Sequence, residues 1–222
     1  MATEKVTVRQ ELASSPKELF YVEVGRTLLG PALASNLEGS IELFKKGLKF
    51  YDIGRFRARN ADIQVGLGRS YMRLAELQEK KANLTKALAA FKKGLSIYTR
   101  DAFAIQCGRT QSDLGNVYLE MAEVWQKESN LLRRAIDAYG GAVSILSRKT
   151  SPIDYANARS NLGVAHRNLA EVCDKEANLK KAIAAFKEAV SILTRRAHRI
   201  DYARVQNDLG GAYISSAEIG DK

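Results

Sequence analysis

A Leu-Gly pair with a ring three residues after the glycine occurs four times in this chain: "GLGRSY" at 66–71, "DLGNVY" at 113–118, "NLGVAH" at 161–166 and "DLGGAY" at 208–213. The leucines, Leu67, Leu114, Leu162 and Leu209, stand 47, 48 and 47 residues apart. Two further signatures keep the same period. Ala75-Glu76 returns as Ala122-Glu123, Ala170-Glu171 and Ala217-Glu218. Ala87, Phe91 and Gly94 return as Ala135, Tyr139 and Ala142, then as Ala182, Phe186 and Ala189, and more loosely as Ser40, Phe44 and Gly47. Self-similarity at a fixed period marks a stacked array, in which one supersecondary unit cannot bury its apolar face alone and does so against its neighbours.

Each unit resolves into two helices. Leu67, Tyr71, Leu74 and Leu77 are three or four residues apart, as are Leu84, Leu88, Phe91, Leu95 and Tyr98. That spacing is one face of an amphipathic helix. Three prolines in 222 residues, with Ala, Leu, Lys and Glu abundant, favour helix over sheet. "KKAN" and "DKEAN" read as short polar links, with Asn83 and Asn178 as expected N-caps. Ser151-Pro152 offers an N-cap followed by proline at the first helical position, and Ser15-Pro16-Lys17-Glu18 repeats the device with a capping-box glutamate.

The recurrent glycine lies inside the first helix of each pair, where it costs about 1 kcal/mol against alanine. Close packing justifies that cost: Gly68, Gly115, Gly163 and Gly210 let a neighbouring helix approach, with Ala87, Ala135 and Ala182 facing them and an aromatic filling the space beside. A phosphate-binding loop needs its glycines between strand and helix, and these lie mid-helix.

Leu-Gly-x-x-Tyr followed by Ala-x-x-x-Phe-x-x-Ala resembles the tetratricopeptide repeat, over residues 36–219. Leu67, Gly68 and Tyr71 would stand on helix A of a pair, and Ala87, Phe91 and Gly94 on helix B. The unit is longer than the usual 34 residues, in the manner of the longer repeats of kinesin light chains. His166 replaces the aromatic in the third unit. The family's proline near the end of helix B is absent. The resemblance implies an all-α, right-handed solenoid of stacked antiparallel pairs spanning 1–222 as one array. Its expected parts are an irregular 1–14, a capping helix with a helix B at 15–56, full repeats at 57–104, 105–151 and 152–199, and an unpaired helix A at 200–222. That last helix is expected either to cap the array or to mark a fragment of a longer protein.

In this superfamily the A helices line the concave side. Carried over position by position, the resemblance gives a polar stripe of Arg69, Arg73, Arg109, Asn116, Asn157, Asn161, Arg167, Asn168, Arg204 and Asn207. Asparagine offers donor and acceptor together and can bracket a peptide backbone, while arginine adds a planar fork for carboxylate. The expected function is a non-enzymatic scaffold holding an extended, acidic peptide segment in the groove, with Asn116→Ala plus Asn168→Ala weakening capture at no cost in stability. The family's carboxylate clamp is not reproduced, since Val65 stands where a lysine is expected and Asp113 where an asparagine is. Two other readings stand beside this one: homo-oligomerisation through the terminal helices, and a basic nucleic-acid-binding solenoid.

The nucleic-acid reading rests on a formal charge of +10, since a basic surface attracts acidic partners. Its aromatics sit at core positions, however, and leave no stacking platform for bases, so nucleic acid is not the expected partner. No run of apolar residues is long enough for a membrane span, and the amino terminus has no apolar signal segment. Cys107 and Cys173 lack a C-x-x-C partner and read as two buried thiols in the cytoplasm. His166 and His198 have no metal-ligand spacing, and no cofactor is expected. His166 reads as packing, with Cys173 two turns further along the same helix and out of its reach. The glutamate after each motif alanine is expected to pair with a nearby Lys or Arg.

Overall fold

The computed structural model describes residues 34–126 and 128–220. Among these residues all regular structure is helical, and there are eight helices. They are α1 (Ala34–Leu48), α2 (Arg57–Leu77), α3 (Lys80–Leu95), α4 (Ala104–Val124), α5 (Ser129–Ile145), α6 (Pro152–Ala170), α7 (Lys175–Val190) and α8 (Arg199–Gly220). The capping helix expected near residues 15–30 lies outside the described residues. The chain divides into two compact units between Thr99 and Arg100.

In the first unit α1 packs on α2 and α2 on α3. Leu37, Ile41 and Phe44 of α1 meet Ile63, Leu67 and Leu74 of α2 in one buried cluster. Leu77, expected on the same apolar face, is 55% exposed because α2 ends there. The connection into α2 is held by Asn60, whose amide donates to the Tyr51 carbonyl at 2.6 Å, and by an edge-on contact of the Tyr51 and Phe56 rings.

In the second unit α4 pairs with α5 and α6 with α7. The pairs stack through α5 on α6 and α7 on α8. Helix α4 also touches α6, and α6 touches α8, while α5 and α7 share no comparable contact. The A helices are therefore closer together than the B helices, and within this unit the A face is the inner side of the curve.

The repeated glycine does what its recurrence suggests. A Cβ built on Gly68 would lie 2.6 Å from the Phe91 ring, one on Gly115 2.6 Å from Tyr139, and one on Gly163 2.7 Å from Phe186. Each ring packs against a helix that has no side chain at that point, and the three rings are fully buried. At Gly210 a Cβ would meet nothing within 4 Å among the described residues.

The turns between A and B helices correct the expected N-caps. α3 and α7 begin earlier than expected, after Glu79 and Asp174, which adopt the left-handed conformation at φ 46° and 48°. Asn83 and Asn178 thus lie inside their helices, in the first turn, and reach backward. Asn83 donates to the Gln78 carbonyl at 2.9 Å, and Asn178 to the Cys173 carbonyl at 3.0 Å. They secure the end of the preceding A segment, whose last carbonyls have no helical partner. Ser151 does precede α6 with Pro152 at its start, but its hydroxyl makes no capping bond.

Candidate functional site

The inner face of the second unit is built from one stripe each of α4, α6 and α8, and its polar side chains are tied across the repeats. Arg109 on α4 donates through Nε to Asp154 on α6 at 2.9 Å, with a second guanidinium nitrogen at 2.8 Å from the same carboxylate oxygen. About two turns further along, Asn161 on α6 donates its amide to Asn116 Oδ1 at 3.1 Å. Arg167 on α6 then reaches Asp208 on α8 at 2.9 Å. These rungs join each A helix to the next.

The Asn116 oxygen carries a further bond. The Tyr139 hydroxyl, from the core of α5, donates to it at 2.6 Å. Burial pushes the Tyr139 phenol far above its ordinary range, and the charges of Asp113 and Glu120 push it the same way, so it remains a donor. This corrects the expectation that Asn116 is free for a ligand and dispensable for stability: its oxygen already accepts twice. Its amide nitrogen and the Asn161 oxygen keep hydrogen-bonding capacity.

The remaining candidates are placed as follows. Asn157 lies between the Arg109 and Asn161 rungs, but its Oδ1 is buried without a hydrogen-bond partner, so that oxygen is not presented at the surface. Ser112 Oγ, which stands in the same register on α4, is buried and unpaired too. Asn168 is half-buried near the end of α6, and Asn207 is exposed on α8. Arg204 pairs with Asp201 of its own helix at 3.5 Å. Within the first unit, Arg69 is exposed on α2 and Arg73 lies 3.6 Å from Glu76. Asp154, Asp208 and Tyr139 hold these side chains in place, and of the three only Asp208 falls at a groove position carried over from the resemblance. The glutamates after the motif alanines pair as expected at Glu76 and at Glu218, which lies 3.6 Å from Lys175.

On the opposite side of the same unit, α5, α6 and α7 enclose a cleft of about 390 Å³ lined by Arg133, Asp137, His166, Asp174 and Lys181 among others. His166 Nδ1 lies 3.0 Å from Asn178 Oδ1. Because the Asn178 amide nitrogen is committed to two carbonyls, its oxygen can only accept. Neutral His166 therefore carries its proton on Nδ1 and leaves Nε2 as the basic nitrogen. Burial holds the imidazole below its ordinary range; the Asn178 bond opposes this, and Lys181 adds to it.

Both cysteines are free thiols. Cys107 is buried, which raises its thiol above the usual range. Cys173 is only half-buried, against the expectation of two buried thiols, with Arg133 within 3.7 Å of its sulfur. No group of acidic, histidine or cysteine side chains among the described residues is arranged to hold a metal ion, and no helix there is long and apolar enough to cross a membrane.

Comparison with known proteins agrees with this architecture. Residues 68–101 match the family model of the tetratricopeptide repeat, from the glycine of the first repeat through helix α3. The fold is similar to that in the crystal structure of BtubC (BKLC) from P. vanneervenii, with a TM-score of 0.57 and 18% sequence identity. The likeness covers 97% of this chain and 82% of that one. No curated protein matches the sequence. The match at residues 68–101 is to a repeat that generally mediates protein–protein interaction, and the solenoid of helix pairs is similar in fold to that of the solved structure.

Proposed function

We propose that this tetratricopeptide-type chain is a protein-interaction scaffold that holds an extended segment of a partner along the inner A-helix face. The observation that carries the reading is the Asn116–Asn161 rung. It fixes two amides across adjacent repeats and leaves an unspent donor on Asn116 and an unspent acceptor on Asn161. A peptide unit in extended conformation presents that same pair of groups, so it can be bracketed without selection of its side chains. Preorganisation matters because ordering flexible side chains on binding costs about 0.5–1.5 kcal/mol each. The rungs Arg109–Asp154 and Arg167–Asp208 meet that cost during folding.

Asn168 and Asn207 extend the stripe, and an acidic segment suits the basic chain. Catalysis has no part in this reading. The test is a screen of acidic and neutral peptides against the whole chain, followed by Asn168→Ala with Asn207→Ala. The pair should weaken the best peptide by about tenfold with no change in melting temperature. Unchanged affinity would sink the groove reading.

A further inference from the structure

We infer that the outer cleft between α5, α6 and α7 is a binding site for a small zwitterion, an α-amino acid with an apolar side chain. The cleft lies on the opposite side of the second unit from the inner groove, and the inference does not rest on the groove reading.

The cleft stands where the repeat is broken. Three residues after Gly68 and Gly115 the A helix carries a tyrosine, and a B-helix cation lies over its ring: Lys86 over Tyr71 at 5.7 Å and Arg134 over Tyr118 at 5.9 Å. Lys181 is the matching cation of the third repeat, but the ring it shares the cleft with is that of His166. An imidazole lacks the outer end of a phenol and leaves room where the other repeats are filled. That room is about 390 Å³, within the range of about 300–1,000 Å³ usual for small-molecule sites. Asp137 is a second departure, since its counterparts on α3 and α7 are the exposed Ala89 and Ala184. Residues that stacking requires recur along an array. These two do not recur, and both line one cleft.

The charged groups come in complementary sets. Each wall carries one cation and one carboxylate: Arg133 and Asp137 on α5, and Asp174 at the start of α7 with Lys181 further along it. Among the described residues none of the four has an ion-pair partner. Arg133 donates to the Cys173 sulfur at 3.7 Å, a weak acceptor that leaves its charge unneutralised. Two cations and two carboxylates kept apart in one cleft suit a ligand that bears both charges. A simple anion would meet Asp137 and Asp174, and a simple cation would meet Arg133 and Lys181.

His166 fixes the part played by the ammonium. Its Nδ1 is bound to Asn178 Oδ1, and the buried Asn178 is itself anchored to the Cys173 and Asp174 carbonyls. The ring is thereby held with Nε2 on its far flank as an acceptor in need of a donor. An ammonium supplies that donor and pairs with the carboxylates, while Arg133 and Lys181 take the ligand's carboxylate. Ile136, Leu169 and Ala177 give an apolar side chain its surface. Burial, with Lys181 adding and the Asn178 bond opposing, keeps the imidazole below its ordinary range, so the acceptor is present at neutral pH.

The probe is free leucine, titrated calorimetrically into the whole chain. Saturable binding is expected. N-acetyl-leucine, which lacks the ammonium, and leucinamide, which lacks the carboxylate, should each bind at least about tenfold more weakly. Asp137→Ala should weaken leucine by a similar factor, and His166→Tyr should abolish its binding. Both variants install a residue that other repeats carry at that position, and thermal melts report that they fold. Affinity should fall as the pH is lowered from about 7.5 to about 5, because an imidazolium no longer accepts and repels the ammonium. The proposal is overturned if leucine does not bind, or if either derivative binds as tightly, since only one charge is then read. It is equally overturned if inorganic phosphate competes as well as leucine does, if His166→Tyr binds leucine like the parent, or if affinity is flat across that pH range.

Discussion

The side-chain oxygen of Asn116 accepts from the Tyr139 hydroxyl at 2.6 Å and from the Asn161 amide at 3.1 Å. One atom on α4 thereby joins the B helix of its own repeat to the A helix of the next. The ring that covers Gly115 and the inner A-helix face are connected through a single hydrogen-bond acceptor.

Asn116→Ala should therefore cost stability, because it strands a buried hydroxyl. An unsatisfied buried donor costs about 1–3 kcal/mol. Adding Tyr139→Phe should recover part of the loss, since the stranded group is then gone. Urea unfolding of the two single variants and the double variant measures this. Strict additivity of the two single losses would show that the bond contributes nothing.

The period and both helices of each repeat were legible in the sequence because the same contacts recur and leave the same residues: glycine under ring, alanine beside glycine. The rungs were not. Arg109 meets Asp154 and Asn116 meets Asn161 at a separation of 45 residues, not the 48 that separate equivalent positions of those repeats. Neighbouring A helices are offset by nearly one turn, so the residue facing Asn116 is not its counterpart, and comparison of repeats alone hides the pairing. Asn83 and Asn178 were misjudged for a related reason. Asparagine before an apolar run is a common N-cap, but an equally short reach backward closes the turn when the preceding residue is left-handed.

Gly163→Ala and Gly210→Ala should move stability in opposite directions. At Gly163 the new methyl would lie 2.7 Å from the Phe186 ring. Overpacking of about 1–3 kcal/mol then outweighs the gain of about 1 kcal/mol in helix propensity. At Gly210 the methyl enters open space, and only the propensity gain remains. Thermal melts of the two variants read the difference, and equal shifts would contradict the ring-on-glycine contact.

His166 should make stability depend on pH. Burial lowers its folded-state pKa, with Lys181 adding and the Asn178 bond opposing, while the unfolded chain holds an ordinary imidazole near about 6.5. The unfolded state thus binds more protons between the two values. The contribution is complete above the unfolded pKa and is lost as pH falls through the folded one. The groups facing the ring are Arg133 and Asp137 from α5 and Asp174 and Lys181 from α7. His166→Tyr restores the ring of the other repeats, where Lys86 lies over Tyr71 and Arg134 over Tyr118. Urea midpoints between about pH 5 and 7.5 should fall more steeply for the parent than for His166→Tyr. Parallel profiles would exclude His166 as the titrating group.

Glu79→Gly should stabilise the first unit, and by more than Asp174→Gly stabilises the second. Both residues hold a left-handed backbone just before a B helix. A residue with a Cβ pays roughly 1–2 kcal/mol for that conformation, which aspartate tolerates better through local hydrogen bonding of its short side chain. Glycine removes the penalty but loses more backbone freedom on folding, an opposing cost of about 0.5–1 kcal/mol. The net gain at Glu79 is then a fraction of a kcal/mol to about 1 kcal/mol, and close to zero at Asp174. Asn83 should remain bonded to the Gln78 carbonyl, since that bond depends on the turn and not on the glutamate side chain. Urea unfolding measures both substitutions. A loss of stability on Glu79→Gly would mean that the glutamate side chain contributes more to the turn than its strained backbone costs.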